Sequence, residues 1–169
     1  FVFEQKLDGA RIQVHRAGEK VAVYSRDGNE LTESLPEVVE LARSFDAHSL
    51  VLDGEAIAMQ ANGRPHPFQV TMRRFGRKTG VSELQASLPL SAFFFDCLYL
   101  DGQVLVELGN EQRWAALSKA VPETSRVTRV AVASAEAGEG VMRAALQSGH
   151  EGVVAKSLAS SYEAGRRGA

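Results

Sequence analysis

Residues 4 to 11 read Glu4-Gln5-Lys6-Leu7-Asp8-Gly9-Ala10-Arg11, and the lysine in this run organises the reading of the whole chain. Residues 2 to 6 form an expected strand. Side chains alternate along it with period two, so Glu4 and Lys6 share a face while Phe1, Phe3 and Gln5 point the other way. Asp8-Gly9 reads as a tight turn, because glycine tolerates positive φ and lets a ligand approach the backbone closely. Arg11 opens a second strand, with Ile12 and Val14 on one face and Arg11 and Gln13 on the other. The run thus offers one cation to attack and another to bind an anion. Lysine attacks only when deprotonated, which burial, neighbouring cations or a metal bring about. Arg11 and Arg26 are the candidate neighbours. Without that chemistry, the same residues make an ordinary hairpin turn with surface charges.

Two downstream stretches favour the chemical reading. Residues 48 to 60, HSLVLDGEAIAMQ, contain a strand that puts Asp53 and Glu55 on one face, with Leu52, Gly54 and Ala56 on the other. Two carboxylates on one face of an apolar strand repel unless a cation lies between them or one is protonated. Residues 151 to 158, EGVVAKSL, add Glu151 and Lys156. These two are five apart, so Glu151 belongs in the turn before a strand unless the strand bulges at Gly152. The spacings suit a polyphosphate with a divalent ion, since magnesium takes one or two carboxylates plus phosphate oxygens.

With these elements, Ser25-Arg26-Asp27-Gly28 and the run Phe94-Phe95-Asp96-Cys97-Leu98-Tyr99-Leu100, nearly the whole chain resembles the adenylation domain of ATP-dependent DNA ligases. That family lies within the covalent nucleotidyltransferases, which also hold RNA ligases and mRNA capping enzymes. Residues 63 to 78 and the stretch from Tyr162 to Gly168 look like the DNA-ligase branch. The resemblance implies an α+β fold of two antiparallel β-sheets with flanking helices and the nucleotide held between them. It makes Lys6 the nucleophile that takes AMP from ATP, covalently. Glu4 is similar to the residue that contacts adenine, Arg11 and Arg26 to those on ribose or phosphate, and Phe95 to the aromatic that stacks on the base. Glu55 and Glu151 look like the acids that serve ribose and a Mg2+ or Mn2+ ion, and Lys156 like a lysine on the α-phosphate. Nicked double-stranded DNA is the implied partner. The family carries a further Trp-x-Lys-x-Lys element after the region of Tyr162 to Gly168, and an OB-fold domain follows it. Residues 1 to 169 therefore read as a fragment of a larger enzyme, lacking an upstream segment too. The other readings are an RNA ligase or capping-type enzyme, and a non-catalytic nucleic-acid binding module, whose mark would be loss of Lys6 or the acids.

Composition fits one folded domain. At 169 residues the chain can bury roughly 70% of its unfolded surface, and 44% hydrophobic with 24% charged residues is ordinary globular usage. No run of 18 apolar residues implies a membrane span. The expected setting is the bacterial cytoplasm, at the nucleoid, and 14 arginines against 5 lysines hint at an actinobacterial source. The single cysteine, Cys97, lies in an apolar run and reads as packing. The four histidines show no metal-ligand spacing. A net charge of −2 is poor for nucleic-acid binding by the whole surface, so local clusters must carry DNA contact. Arg73, Arg74, Arg77 and Lys78 form one candidate cluster, and Arg166 with Arg167 a second.

Periodicity sketches the remainder. Residues 10 to 16 and 20 to 25 alternate around Ala17-Gly18-Glu19 and read as a hairpin. Residues 35 to 45 have helical spacing, with Ser34 and Glu37 as a capping box. Residues 92 to 100 are apolar on both faces and read as a central strand, with Phe93, Phe95, Cys97 and Tyr99 on one face and Phe94, Asp96 and Leu98 on the other. Helices are expected over 111 to 120 and 135 to 148, with Asn110 and Ser134 as N-caps and Gly149 as a stop, and strands over 127 to 133 and 152 to 157.

Overall fold

A computed structural model describes residues 1–165. In chain order the elements are β1 (Val2–Lys6), β2 (Ala10–Ala17), β3 (Lys20–Ser25), α1 (Pro36–Arg43), β4 (Ser49–Ala58), α2 (Phe68–Met72), α3 (Val81–Ser87), β5 (Leu90–Leu100), β6 (Gln103–Val104), α4 (Asn110–Ala120), β7 (Arg129–Ala131), α5 (Ala135–Gln147) and β8 (Gly152–Lys156). They build two antiparallel sheets, one in the order β7-β1-β8 and one in the order β3-β2-β4-β5-β6. This is the α+β architecture expected. Among the described residues no helix is long and apolar enough to cross a membrane.

β1 and β2 lie in different sheets, so residues 7 to 9 carry the chain from one sheet to the other rather than closing a hairpin. Gly9 is required there for a reason other than positive φ, which it does not adopt. A Cβ at Gly9 would stand 2.5 Å from the carbonyl oxygen of Ala56, too close for any other residue. The crossing is therefore pressed against β4, and Lys6 at its start is fixed relative to the larger sheet.

The larger sheet packs one face on helices. Ile12, Val14, Leu50, Leu52, Ala56, Phe94 and Cys97 meet Val38, Val39 and Ala42 of α1 and Leu117 and Ala120 of α4. Burying each large apolar side chain contributes roughly 1.5–3 kcal/mol over leaving it exposed. α1 does not use the expected capping box. A 3-10 turn at Thr32–Ser34 precedes it, Leu35 is its N-cap without a side-chain bond, and Pro36 opens the first turn, where its missing N–H costs nothing. Ser34 and Glu37 are engaged elsewhere. The Ser34 hydroxyl donates to the Arg77 carbonyl at 2.6 Å, and Glu37 accepts from both terminal nitrogens of Arg74 at 2.6 and 2.7 Å. Arg74 is fully buried and also donates to the carbonyls of Leu88 and Ser34. It ties residues 73 to 90 onto α1 and is unavailable to DNA.

β5 departs from its period-two reading. Its register against β4 slips twice, between Val51 and Leu52 and between Asp53 and Gly54. Phe95 and Leu98 are the unpaired extra residues of two β-bulges. Each bulge shifts the phase of alternation, so Asp96 stands opposite Asp53 and Cys97 opposite Leu52. That reverses the faces expected for Asp96 and Cys97. Nor is β5 flanked along its length, because β6 pairs only with Tyr99 and Leu100.

On the smaller sheet, α5 covers the face bearing Phe3, whose ring would lie 2.9 Å from a Cβ at Gly138. Ser134 caps α5, accepting from the Ala137 N–H at 3.2 Å, and Gly149 follows the helix at φ 87°. α4 starts one residue earlier than expected, with Gly109 as N-cap and Asn110 buried inside the first turn. β7 is shorter than expected because the Val127 N–H bonds to the Phe94 carbonyl of the other sheet at 3.0 Å.

Candidate active site

The two sheets approach each other where β8 meets β5. Lys156 at the end of β8 places its ammonium 4.7 Å from the centre of the Phe95 ring, and the Arg11 guanidinium of β2 stands 5.0 Å from the same centre. The bulge turns Phe95 into this space, half-buried, so the ring is a plate held by two cations. Three residues named as candidates from the sequence, Phe95, Arg11 and Lys156, are thus brought together.

Lys6 is the last residue of β1, whose first residue, Val2, pairs with Lys156. The Lys6 side chain is 52% exposed and its Nζ lies 3.2 Å from Glu151 Oε1. The backbone fixes this pair as well, since the Glu151 N–H donates to the Lys6 carbonyl at 3.1 Å. Glu151 precedes β8, which resolves the five-residue spacing without a bulge. Glu4, two residues before Lys6, is 2% exposed, and its carboxylate takes Lys156 at 2.6 Å and Arg129 at 3.2 Å. Arg129 in turn lies 4.6 Å over the Trp114 ring, and burial pulls its pKa below the ordinary value.

Register separates the two lysines. Lys6 pairs with Gly152 and Val2 with Lys156, so the two lie four residues apart along the strands, roughly 13 Å at a strand's rise. The Lys156 ammonium pairs with Glu4 and lies over Phe95.

The paired carboxylates of β4 have different fates. Asp53 is 1% exposed and satisfied, accepting from Arg11 at 2.6 Å, Gln13 at 3.0 Å and the Tyr162 hydroxyl at 2.9 Å. Glu55 has an oxygen, Oε2, buried without a hydrogen-bond partner among the described residues. Burial pushes its pKa up to about 7; Asp8 and Glu151 add to the rise, while Arg11 and the exposed Arg26 oppose it. A cation beside Glu55 would relieve this strain. The described residues contain no ready-made group of three or more metal-ligating side chains. Two carboxylates without a third suit magnesium or manganese held partly by phosphate oxygens.

Sequence reasoning did not place Arg129, Trp114, Arg113 or the Asp53–Tyr162 bond in the site. Arg113 holds Asp96 with two bonds, at 2.8 and 3.2 Å, directly across the sheet from Asp53. Such partners lie far apart in sequence, 125 residues for Arg129 and Glu4, and no local pattern marks them. Of the first basic cluster, Arg73, Arg77 and Lys78 are exposed beside α2. Arg166 and Arg167 lie outside the described residues. Cys97 is buried in the core with its pKa pushed up to about 12 by burial, which fits packing.

The arrangement of two antiparallel sheets with a few helices is that of a nucleotidyltransferase domain. Solved structures share it. The ligase domain of M. tuberculosis LigD superposes with a TM-score of 0.73 at 29% identity, covering 99% of this chain and 52% of that one. A mycobacterial DNA ligase D complexed with ATP and MES gives 0.72 at 26% identity, over 98% of this chain and 51% of that one. The ATP dependent DNA ligase domain family matches residues 1–169, and the chain belongs to it. Among curated relatives, a "Probable DNA ligase" of Anaeromyxobacter sp. (strain K) is 54% identical over 98% of this chain and 32% of its own length. One from Mycobacterium marinum (strain ATCC BAA-535 / M) is 52% identical over 99% and 33%. The chain thus spans about a third of the length of these relatives.

Proposed function

We propose that this chain is the adenylation domain of an ATP-dependent DNA ligase and that Lys6 carries AMP covalently. The observation that supports the reading best is the Lys6 amine, exposed beside Glu151, in a fold that also brings Arg11 and Lys156 to the Phe95 ring. ATP would lay its adenine on Phe95 and its triphosphate toward Lys6. The nitrogen lone pair forms a bond to the α-phosphorus, the bond from that phosphorus to the bridging oxygen breaks, and pyrophosphate leaves with the electron pair. The nitrogen sheds its protons to Glu151 and then to solvent.

Such transfers are catalysed chiefly by alignment and charge neutralisation. Here Arg11 and Arg26 supply fixed positive charge near the phosphates. Glu55 and Glu151 would hold a magnesium or manganese ion, which when bound would offset phosphate charge. In the later steps an oxygen of a 5′-phosphate at a DNA nick takes AMP from Lys6. The 3′-hydroxyl then attacks that 5′-phosphate and releases AMP. Arg73, Arg77 and Lys78, with Arg166 and Arg167, would contact the duplex. A following OB-fold domain and a Trp-x-Lys-x-Lys element would complete the enzyme, which would work at the bacterial nucleoid.

The test is transfer of label from α-labelled ATP to the full-length protein. Lys6→Ala should abolish it, and the parent should seal nicked DNA in preference to nicked RNA. Labelling that persists in Lys6→Ala overturns the assignment.

A further inference from the structure

The segment after β8 returns across the larger sheet and ends against Asp53. Three bonds hold it there without the help of any hydroxyl: the Tyr162 N–H donates to the Val106 carbonyl at 3.1 Å, the Glu111 N–H to the Leu158 carbonyl at 2.9 Å, and Arg113 to the Ser160 carbonyl at 2.9 Å. The Tyr162 phenol is therefore not needed to dock the segment. It donates instead to Asp53 Oδ2, the oxygen that also accepts from Arg11. The phenol's pKa is pushed up to about 12, by burial first and then by the Asp53 charge, so it remains a donor throughout the neutral range.

An arginine bound to a buried carboxylate is divided when a phosphate arrives. With Asp53 only 1% exposed, water cannot replace a partner that leaves. The more completely other donors satisfy Asp53, the less Arg11 is required there and the more freely its guanidinium can turn to an incoming anion while remaining over Phe95. Gln13 serves Oδ1, and among the described residues Tyr162 is the donor that shares Oδ2 with Arg11.

We propose that Tyr162 is a positioning residue for nucleotide binding, acting through Asp53 to set how tightly Arg11 is held and so how readily it meets a nucleotide phosphate. This rests on the adenylation reading above. It gives the segment following Lys156 a direct line to the nucleotide pocket.

The experiment measures AMP transfer to Lys6 in the full-length protein as a function of ATP concentration, for Tyr162→Phe, Arg11→Lys and the double variant. Tyr162→Phe should raise KM for ATP roughly three- to tenfold, the size of one hydrogen bond, with kcat within about twofold because the phenol touches no reacting atom. In the Arg11→Lys background the same change should have little further effect, since the two act in series. A thermal shift with unchanged KM would mean the phenol only satisfies a buried acid, and the proposal falls. An equal rise in KM with and without Arg11 would also overturn it. If the parent itself takes up no label, the adenylation reading fails first, so the two failures are distinguishable.

Discussion

Replacing Glu55 with glutamine should make the chain gain stability on its parent as pH rises from 4 to 8. Burial raises the folded-state pKa of Glu55 from 4.5 to about 7. Between those values the folded state holds a proton that the unfolded chain has lost, so stability falls as pH rises through that window. Each pH unit in the window costs about 1.4 kcal/mol, which sums to about 3 kcal/mol of strain above pH 7. Glutamine keeps the shape and cannot ionise, although its buried amide brings a fixed cost of roughly 1–3 kcal/mol if left unpaired. The fixed cost cancels when the variant is compared with its parent at two pH values. Urea unfolding at pH 4 and pH 8 should therefore show the glutamine variant gaining about 3 kcal/mol on its parent between them. For a chain of this size that corresponds to a relative rise in Tm of roughly 6–12 °C. A stability difference that stays flat from pH 4 to pH 8 would show that Glu55 is not strained and would remove the main structural argument for a cation beside it.

Phe95→Ala should weaken ATP binding by roughly 1–3 kcal/mol with little change in Tm; unchanged affinity with lower Tm would make Phe95 a packing residue. Arg74→Ala leaves Glu37 without its buried partner and should cost roughly 3–5 kcal/mol, measured by urea unfolding, so near-parental stability would contradict the burial described. Arg73→Ala and Arg77→Ala should leave stability unchanged and lower DNA affinity in the full-length protein, each making the salt dependence shallower by about one; an unchanged slope would exclude both from the interface.

The fold was legible where the pattern is local. The alternation of residues 2 to 6 and 10 to 16, the helical spacing of residues 35 to 45, and the Ser134 cap all describe elements that form as read. Errors came from side chains whose partners lie far away. Ser34 and Glu37 have the spacing of a capping box, yet a buried arginine 37 residues on from Glu37 offers a stronger, charge-assisted pair. Arg74 sits in a basic run that looks uniform, and burial alone separates it from Arg73 and Arg77. Lys6 and Glu151 could be singled out from motif and spacing, and Phe95 only through the family resemblance. The distance between Lys6 and Lys156 could not, because it depends on the register of β8 against β1. Arg129 and Tyr162 carry no local signal for the same reason: each acquires its role from one carboxylate reached only in the folded chain.

The two bulges of β5 have a consequence for descent. Each is one residue long and is absorbed within the strand, so the ladder on either side keeps its partners. In genetic terms, a single in-frame codon separates a regular strand from one that turns Phe95 toward Arg11 and Lys156. Deleting that codon should leave Gly54 opposite Phe94 and Asp53 opposite Asp96, yielding a sheet with straighter pairing and no aromatic plate. One such insertion is enough to give a regular sheet its aromatic platform without passing through an unfolded intermediate. One deletion removes it as easily while keeping the core.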